Sequence, residues 1–191
     1  MNNPCCEQCR ERPVAVNYGT AGGEQRKLCS RCYNTLVAQE CGLDFEHTDF
    51  EPIELTDARG NQHTFHFETF HYVSGVSLKA VEMRDGETRG YVFEVAGESE
   101  AEEPLELFGR LFQKMQRGLA LQHIDERDLG PGINDAGTVR ARIEWDEDQD
   151  GQVPLVVIDG REFTWEQLGR MMMSYEGWQL KLQIHDMTED I

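Results

Sequence analysis

Beyond residue 50 the apolar positions first alternate and then cycle. His63–Val73 (HTFHFETFHYV) is dense in aromatic and β-branched residues, and Gly75–Arg84 follows as a second run. Asp85-Gly86, a preferred hairpin turn, leads into Tyr91–Val95, where Tyr91, Phe93 and Val95 alternate with Val92 and Glu94. With Pro52–Thr56 as a short leading strand and a turn over Asp57–Asn61, the pattern predicts an antiparallel meander of three or four strands.

The period changes at Pro104, which suits a first helical turn. Leu105, Phe108, Phe112, Met115 and Leu119 recur at spacings of 3, 4, 3 and 4, with Leu111 beside them. Leu129–Gly137 reads as a loop. The last third reads β-β-α-β. In Thr138–Trp145, Val139, Ala141, Ile143 and Trp145 alternate with polar residues, and Val153–Ile158 is an apolar run ending at the Asp159-Gly160 turn. Thr164-Trp165-Glu166-Gln167 fits a capping box. It opens a helix with Leu168, Met171, Met172 and Tyr175 on one face, and Gly177 is placed to end it. Trp178, Leu180, Leu182 and Ile184 then alternate with Gln179, Lys181, Gln183 and His185, which predicts a half-buried strand.

The expected fold class is therefore α+β: a small N-terminal four-cysteine zinc module over residues 1–45, then an antiparallel β-sheet domain packed by two helices over residues 50–191. The larger part divides further into a meander plus helix (50–125) and a β-β-α-β unit (138–186). The acidic stretch Gly97–Pro104 reads as a linker.

Composition adds a charge asymmetry. The 191 residues carry 18 basic and 36 acidic groups, a net charge of −18. Residues 1–41 hold five basic and four acidic groups, so residues 42–191 hold 13 and 32, a net −19. An anionic body repels phosphate backbones and anionic lipid, which argues against nucleic acid or membrane as a partner of the whole chain and favours a protein partner, a basic one above all. The same charge also serves solubility. Residues Met1–Cys9 are polar, and no stretch approaches the ~18 consecutive apolar residues of a membrane helix, so the expectation is a cytoplasmic protein without a signal peptide.

All six cysteines lie at or before Cys41. Cys6-x-x-Cys9 and Cys29-x-x-Cys32 stand 19 residues apart. Each pair puts two thiolates on one tight turn, and two such turns supply the tetrahedral four-sulfur shell that zinc prefers. A module of this length is too short to fold on its own core, so Cys6, Cys9, Cys29 and Cys32 are the expected ligands of one structural zinc. A redox pair needs one such motif rather than two, and iron–sulfur clusters usually use other spacings. Cys5 and Cys41 are left over; a small buried thiol is the expectation at Cys41.

On these residues, CEQCRERPVAV followed by LCSRC, the segment resembles the N-terminal zinc-binding module of the bacterial Clp-associated McsA proteins, over residues 6–40. The resemblance implies zinc binding and engagement of a protein partner. Tyr33–Gly42 departs from that family, leading into an acidic β-domain with no coiled C-terminal segment. The stretch from Ile143 to Ile184 resembles bacterial proteins classed as domains of unknown function, with a similar zinc-ribbon start.

Other patterns carry less. Asp146-x-Asp148-x-Asp150-Gly151 copies the start of a calcium loop, but position 12 is Val157 rather than a bidentate Glu, so an acidic hairpin tip is expected. His63 and His66 would point to opposite faces of a strand, so the histidines of that strand are expected to be partly exposed and not to share an ion. Of Met171, Met172 and Met173, two should face the core. No nucleophile elbow, P-loop or HExxH is present. The functional expectation is a non-enzymatic interaction or adaptor protein whose zinc knuckle presents Arg10, Arg12, Arg26 and Arg31. The alternatives are an acidic decoy of a nucleic-acid-binding protein and a metal-dependent hydrolase using the Asp146–Asp150 acids.

Overall fold

The longest alternating runs form the longest strands. In the computed structural model, which describes residues 5–19, 25–42, 47–72, 75–97 and 103–190, the meander is a four-stranded antiparallel sheet in the order β3 (Ile53–Thr56), β4 (Gln62–Tyr72), β5 (Gly75–Arg84), β6 (Glu87–Ala96). Val73 and most of the acidic linker, residues 98–102, lie outside the described residues. Asp85 and Gly86 take φ of 52° and 80°, the paired left-handed geometry that a two-residue hairpin turn requires. Helix α2 (Pro104–Leu119) covers one face. Its buried line is Leu107, Leu111, Met115 and Leu119, packed on Phe65, Leu78, Ala80 and Phe93. This corrects the expected stripe: Leu105 is exposed and Leu107 takes its place, because the helix seats one i, i+4 ridge in the sheet. Gly118 permits the close approach, since a Cβ there would sit 2.4 Å from the Phe93 ring.

Cysteines bracket the first unit. Strands β1 (Val16–Tyr18) and β2 (Arg26–Leu28) form a hairpin, and helix α1 (Ser30–Cys41) follows, ending at Gly42 with φ 66°. The apolar pattern does not announce this helix. Its signal is thin, with Tyr33 and Val37 the buried apolar positions on it. The expected end of the module at residue 45 falls within 43–46, which are outside the described residues.

Helix α1 docks on the sheet through one polar side chain. Strand β3 pairs only with Gln62–Phe65 of β4, so the second half of that edge lacks a strand. Asn34, fully buried, fills the place: its Nδ2 donates to the Thr69 carbonyl at 2.7 Å and its Oδ1 accepts from the His71 N–H at 3.0 Å. Tyr33 packs edge-on against Phe70 and Tyr72 beside it. Asn34→Ala strips both backbone groups of this partner, an expected loss of about 1–3 kcal/mol, read as an earlier denaturant midpoint and faster proteolysis within residues 5–42.

The C-terminal unit differs from its sequence reading in three places. The expected loop at 129–137 contains strand β8 (Gly130–Ile133), paired with β7 (Ile124–Arg127). The expected strand 138–145 shrinks to β9 (Arg142–Glu144), which joins β10 (Leu155–Ile158) and β11 (Arg161–Thr164) in the order β11-β10-β9. The expected closing strand at 178–185 is not formed: those residues have no sheet partner among the described residues, and all four of their apolar side chains are exposed. Alternation prepares a segment for a sheet, but a strand also needs an edge to pair with, and this segment lies against none. Helix α3 (Trp165–Met172) carries the expected capping box at Thr164 and Gln167 and packs Leu168, Met171 and Met172, joined by Tyr175 from the 3-10 turn that follows it, on Ile124, Ile133, Val156 and Phe163. Met173 is exposed. The molecule is α+β throughout, and no described helix is long and apolar enough to cross a membrane.

Candidate metal centre

Two turns deliver the four thiols. At the first, the Cys6 carbonyl accepts the Arg10 N–H at 2.9 Å, and Arg10 itself takes φ 60°, turning the chain back after Cys9. Backbone bonds from Cys6 to Arg12 O (2.8 Å) and from Glu7 to Lys27 O (2.9 Å) pin this knuckle to the hairpin. At the second, Leu28 is fully buried and sets the position of Cys29, which caps α1: its Sγ accepts from the Cys32 N–H at 3.5 Å. Cys29 and Cys32 thus sit at the helix N-terminus, where the partial positive charge favours thiolates.

The four Sγ atoms of Cys6, Cys9, Cys29 and Cys32 lie within 4.8 Å of one another, and Cys9 Sγ is 3.8 Å from Cys29 Sγ. A tetrahedral shell with metal–sulfur bonds of ~2.3 Å has edges of about 3.8 Å. The spacing is that of ligands around one ion. Electrostatics agree. Burial raises the Cys6 thiol, but backbone N–H groups of Cys9, Cys29 and Gln8 outweigh it and bring it to about 6. Burial pushes Cys29 up, with Cys6 and Cys9 adding to it, and burial followed by the thiols of Cys29, Cys6 and Cys9 raises Cys32 strongly. One thiolate is welcome at the cluster and further ones repel each other, the conflict that a bound cation removes. These four residues can hold a metal ion.

Cys5 and Cys41 stand apart and exposed, so the buried thiol expected at Cys41 is not found. Two of the four arginines expected to face a partner meet an acidic side chain of the same chain while staying partly exposed. Arg31 pairs with Asp49, and Arg12 lies 3.9 Å from the same carboxylate. Arg26 donates to Gln8 Oε1 at 3.2 Å, while Arg10 is exposed. Asp49 carries no signal in the sequence, since a lone acid in an acidic chain does not stand out.

The Asp146–Asp150 acids do not converge. Asp146 is buried, and its Oδ1 accepts the Asp148 N–H at 3.0 Å within a short 3-10 turn, Glu147–Gln149, at the expected hairpin tip. Among the described residues, the cysteine cluster is the one group of His, Cys, Asp or Glu side chains close enough to share an ion.

His63 departs most from expectation. It is buried rather than partly exposed, with Nδ1 2.7 Å from Glu82 Oε1 and Nε2 3.1 Å from Asp57 Oδ2. The second contact has ion-pair distance without hydrogen-bond alignment. Glu82, also buried, accepts from Arg84 Nε at 2.5 Å and from the Tyr91 N–H at 2.8 Å. A register shift between Val81 and Met83 re-aims this side chain, and Gly90 leaves room for it: a Cβ there would lie 2.1 Å from Glu82 Oε2. Burial raises the Asp57 carboxyl, but hydrogen bonds from Asn61 and the Arg59 N–H, together with the nearby His63 ring, outweigh it and bring it to about 2.

Three family models match consecutive stretches of the chain, each described as a domain of unknown function: DUF7685 over residues 5–44, DUF7686 over residues 46–120 and DUF7713 over residues 123–189. No curated protein and no solved structure matches the chain. The chain is thus similar, stretch by stretch, to three domains of unknown function, the first of which spans the four-cysteine cluster.

Proposed function

We propose that Cys6, Cys9, Cys29 and Cys32 bind one structural zinc ion and that the chain acts as a non-enzymatic interaction protein. The sulfur spacing carries the first part: four cysteines complete a tetrahedral shell and leave no open position for water or substrate. The second part rests on what the knuckle displays. Arg10 and Arg26 remain exposed on a nearly neutral unit clamped to a strongly anionic body. Such a pairing of surfaces suits a protein partner, with the acidic body turned to basic groups.

Metal analysis of the purified chain should give close to one zinc per chain, and Cys9→Ser should lose most of it; substantially less than one in the parent overturns the zinc assignment. Separately, the zinc-loaded chain should retain a protein partner on a column in a salt-sensitive manner, and Arg10→Glu with Arg26→Glu should weaken retention. A parent chain that retains no protein, with or without zinc, overturns the interaction reading while leaving the metal intact.

A further inference from the structure

Residues 178–185 form a strap that is held at both ends and unpaired between them. At its start, the Tyr175 hydroxyl donates to the carbonyls of Ile133 (3.3 Å) and Asn134 (3.2 Å), and the Trp178 ring meets the Tyr175 ring edge-on. At its end, Lys114 Nζ donates to the carbonyls of Met187 and Glu189, both at 2.7 Å, and Arg117 pairs with Asp190. Among the described residues, no backbone–backbone hydrogen bond uses residues 179–185. Trp178, Leu180, Leu182 and Ile184 are 77%, 76%, 71% and 74% exposed and stand at alternate positions, so that in a paired strand they would share one side. Together they expose on the order of 600 Å² of apolar side chain, at the top of the range for a patch on a monomer.

The same chain carries a sheet that lacks a strand. The order β11-β10-β9 leaves the outer edge of β9 without a strand among the described residues. Ile143 on β9 stands opposite Val156, which stands opposite Phe163, so the three share the face that α3 covers. Coverage stops short of the edge: Ile143 is 58% exposed, and Trp145, just past the strand, is 66% exposed. An apolar face that continues to an open edge is shaped for one more strand with apolar residues at alternate positions.

We infer that this chain pairs with a second copy of itself, the strap 178–185 of each adding to the open β9 edge of the other. Adding it places its apolar row beside Ile143 on the α3 side and its polar row, with Lys181, on the side of Glu144. A second copy fits better than the chain's own edge, because moving the strap in cis breaks its anchors at Tyr175, Lys114 and Arg117. Two reciprocal contacts close a two-fold dimer and reach the ~1,200 Å² at which specific interfaces begin. Charge also fits: residues 177–185 contain one lysine and no acid, in a chain of net −18, so the copies meet along a stretch that does not repel. Their bodies do repel, and salt should strengthen the pairing.

Sedimentation velocity on the full metal-loaded chain tests this. A dimer is expected at micromolar concentration, its dissociation constant falling several-fold between low and high salt. Leu180→Asp with Leu182→Asp should give a monomer, and so should Ile143→Asp; these exposed positions leave the circular dichroism unchanged. Amide protection across 179–185 should rise with protein concentration. A chain that is monomeric at low and high salt overturns the inference, as does a dimer that survives either variant.

Discussion

Stripping the metal from the full chain at neutral pH is expected to unfold residues 5–42 and leave the four-stranded sheet standing. The first unit is small, and its buried cluster (Cys6, Leu28, Cys29, Tyr33 and Val37, packed with Phe70 of β4) includes two of the four clustered cysteines. Structural zinc sites supply on the order of ten kcal/mol to folding, more than so small a core provides. Without the ion, burial above all raises Cys29 and Cys32, so both stay neutral thiols and the bonds that would tie the two turns together are lost. The sheet has its own core with α2 and shares no ligand with the knuckle. Chelator treatment should therefore abolish amide protection in 5–42 and open that region to protease, while residues 53–119 stay protected. Loss should reach β4 in one place: Thr69 and His71 give up the Asn34 amide, so exchange at the open half of that edge should quicken. Cys32→Ser should reproduce the chelator result. Unchanged protection in 5–42 after verified metal loss would show that the unit stands on its packing alone.

Glu82→Ala is the substitution outside the cysteines with the largest expected cost. It removes the acceptor shared by His63, Arg84 and the Tyr91 N–H, all in or beside the sheet interior. Breaking a buried pair by deleting one partner typically costs about 3–5 kcal/mol, because the other charge or donor is left behind. Denaturant titration of the variant should show a loss of that order. A cost below about 1 kcal/mol would mean that water replaces the carboxylate, against the burial seen. The same cluster sets an acid limit. The Asp57 carboxyl is depressed from its ordinary 3.8 to about 2 in the fold, so its contribution is fully present above about pH 4 and is lost as pH falls through 2. At ~1.4 kcal/mol per unit the contribution is on the order of 2 kcal/mol. Asp57→Asn should lower stability at neutral pH and flatten its dependence between about pH 4 and 2.

Local patterns carry far where the chemistry is local. The meander is legible because β4, β5 and β6 are long runs rich in aromatic, β-branched and other apolar residues, and a left-handed Asp-Gly turn joins the last two. The capping box at Thr164 and Gln167 closes over neighbouring residues and forms as written. The four clustered cysteines announce themselves through spacing, since two CxxC turns have few other uses. His63 escapes such reasoning because its partners, Asp57 and Glu82, come from a loop and from a bulge on another strand, and carboxylates are too common in this chain to be informative. Leu105 enters the expected helix stripe because a 3-4 pattern admits more than one ridge, and only the sheet beneath α2 selects Leu107.

By itself, then, the sequence determined the order of most elements, the anionic character of the body and the identity of the four candidate ligands, all consequences of short-range periodicity and counting. Tertiary structure decided the rest. Asn34 completes an edge that β3 leaves unfinished, Asp49 pairs with Arg31 and lies near Arg12 at the surface, and Glu82 reaches His63 through a bulge. Residues 178–185 show the division most plainly: their alternation is that of a strand, yet pairing depends on which edge comes within hydrogen-bonding reach, and long-range placement rather than local propensity leaves them exposed.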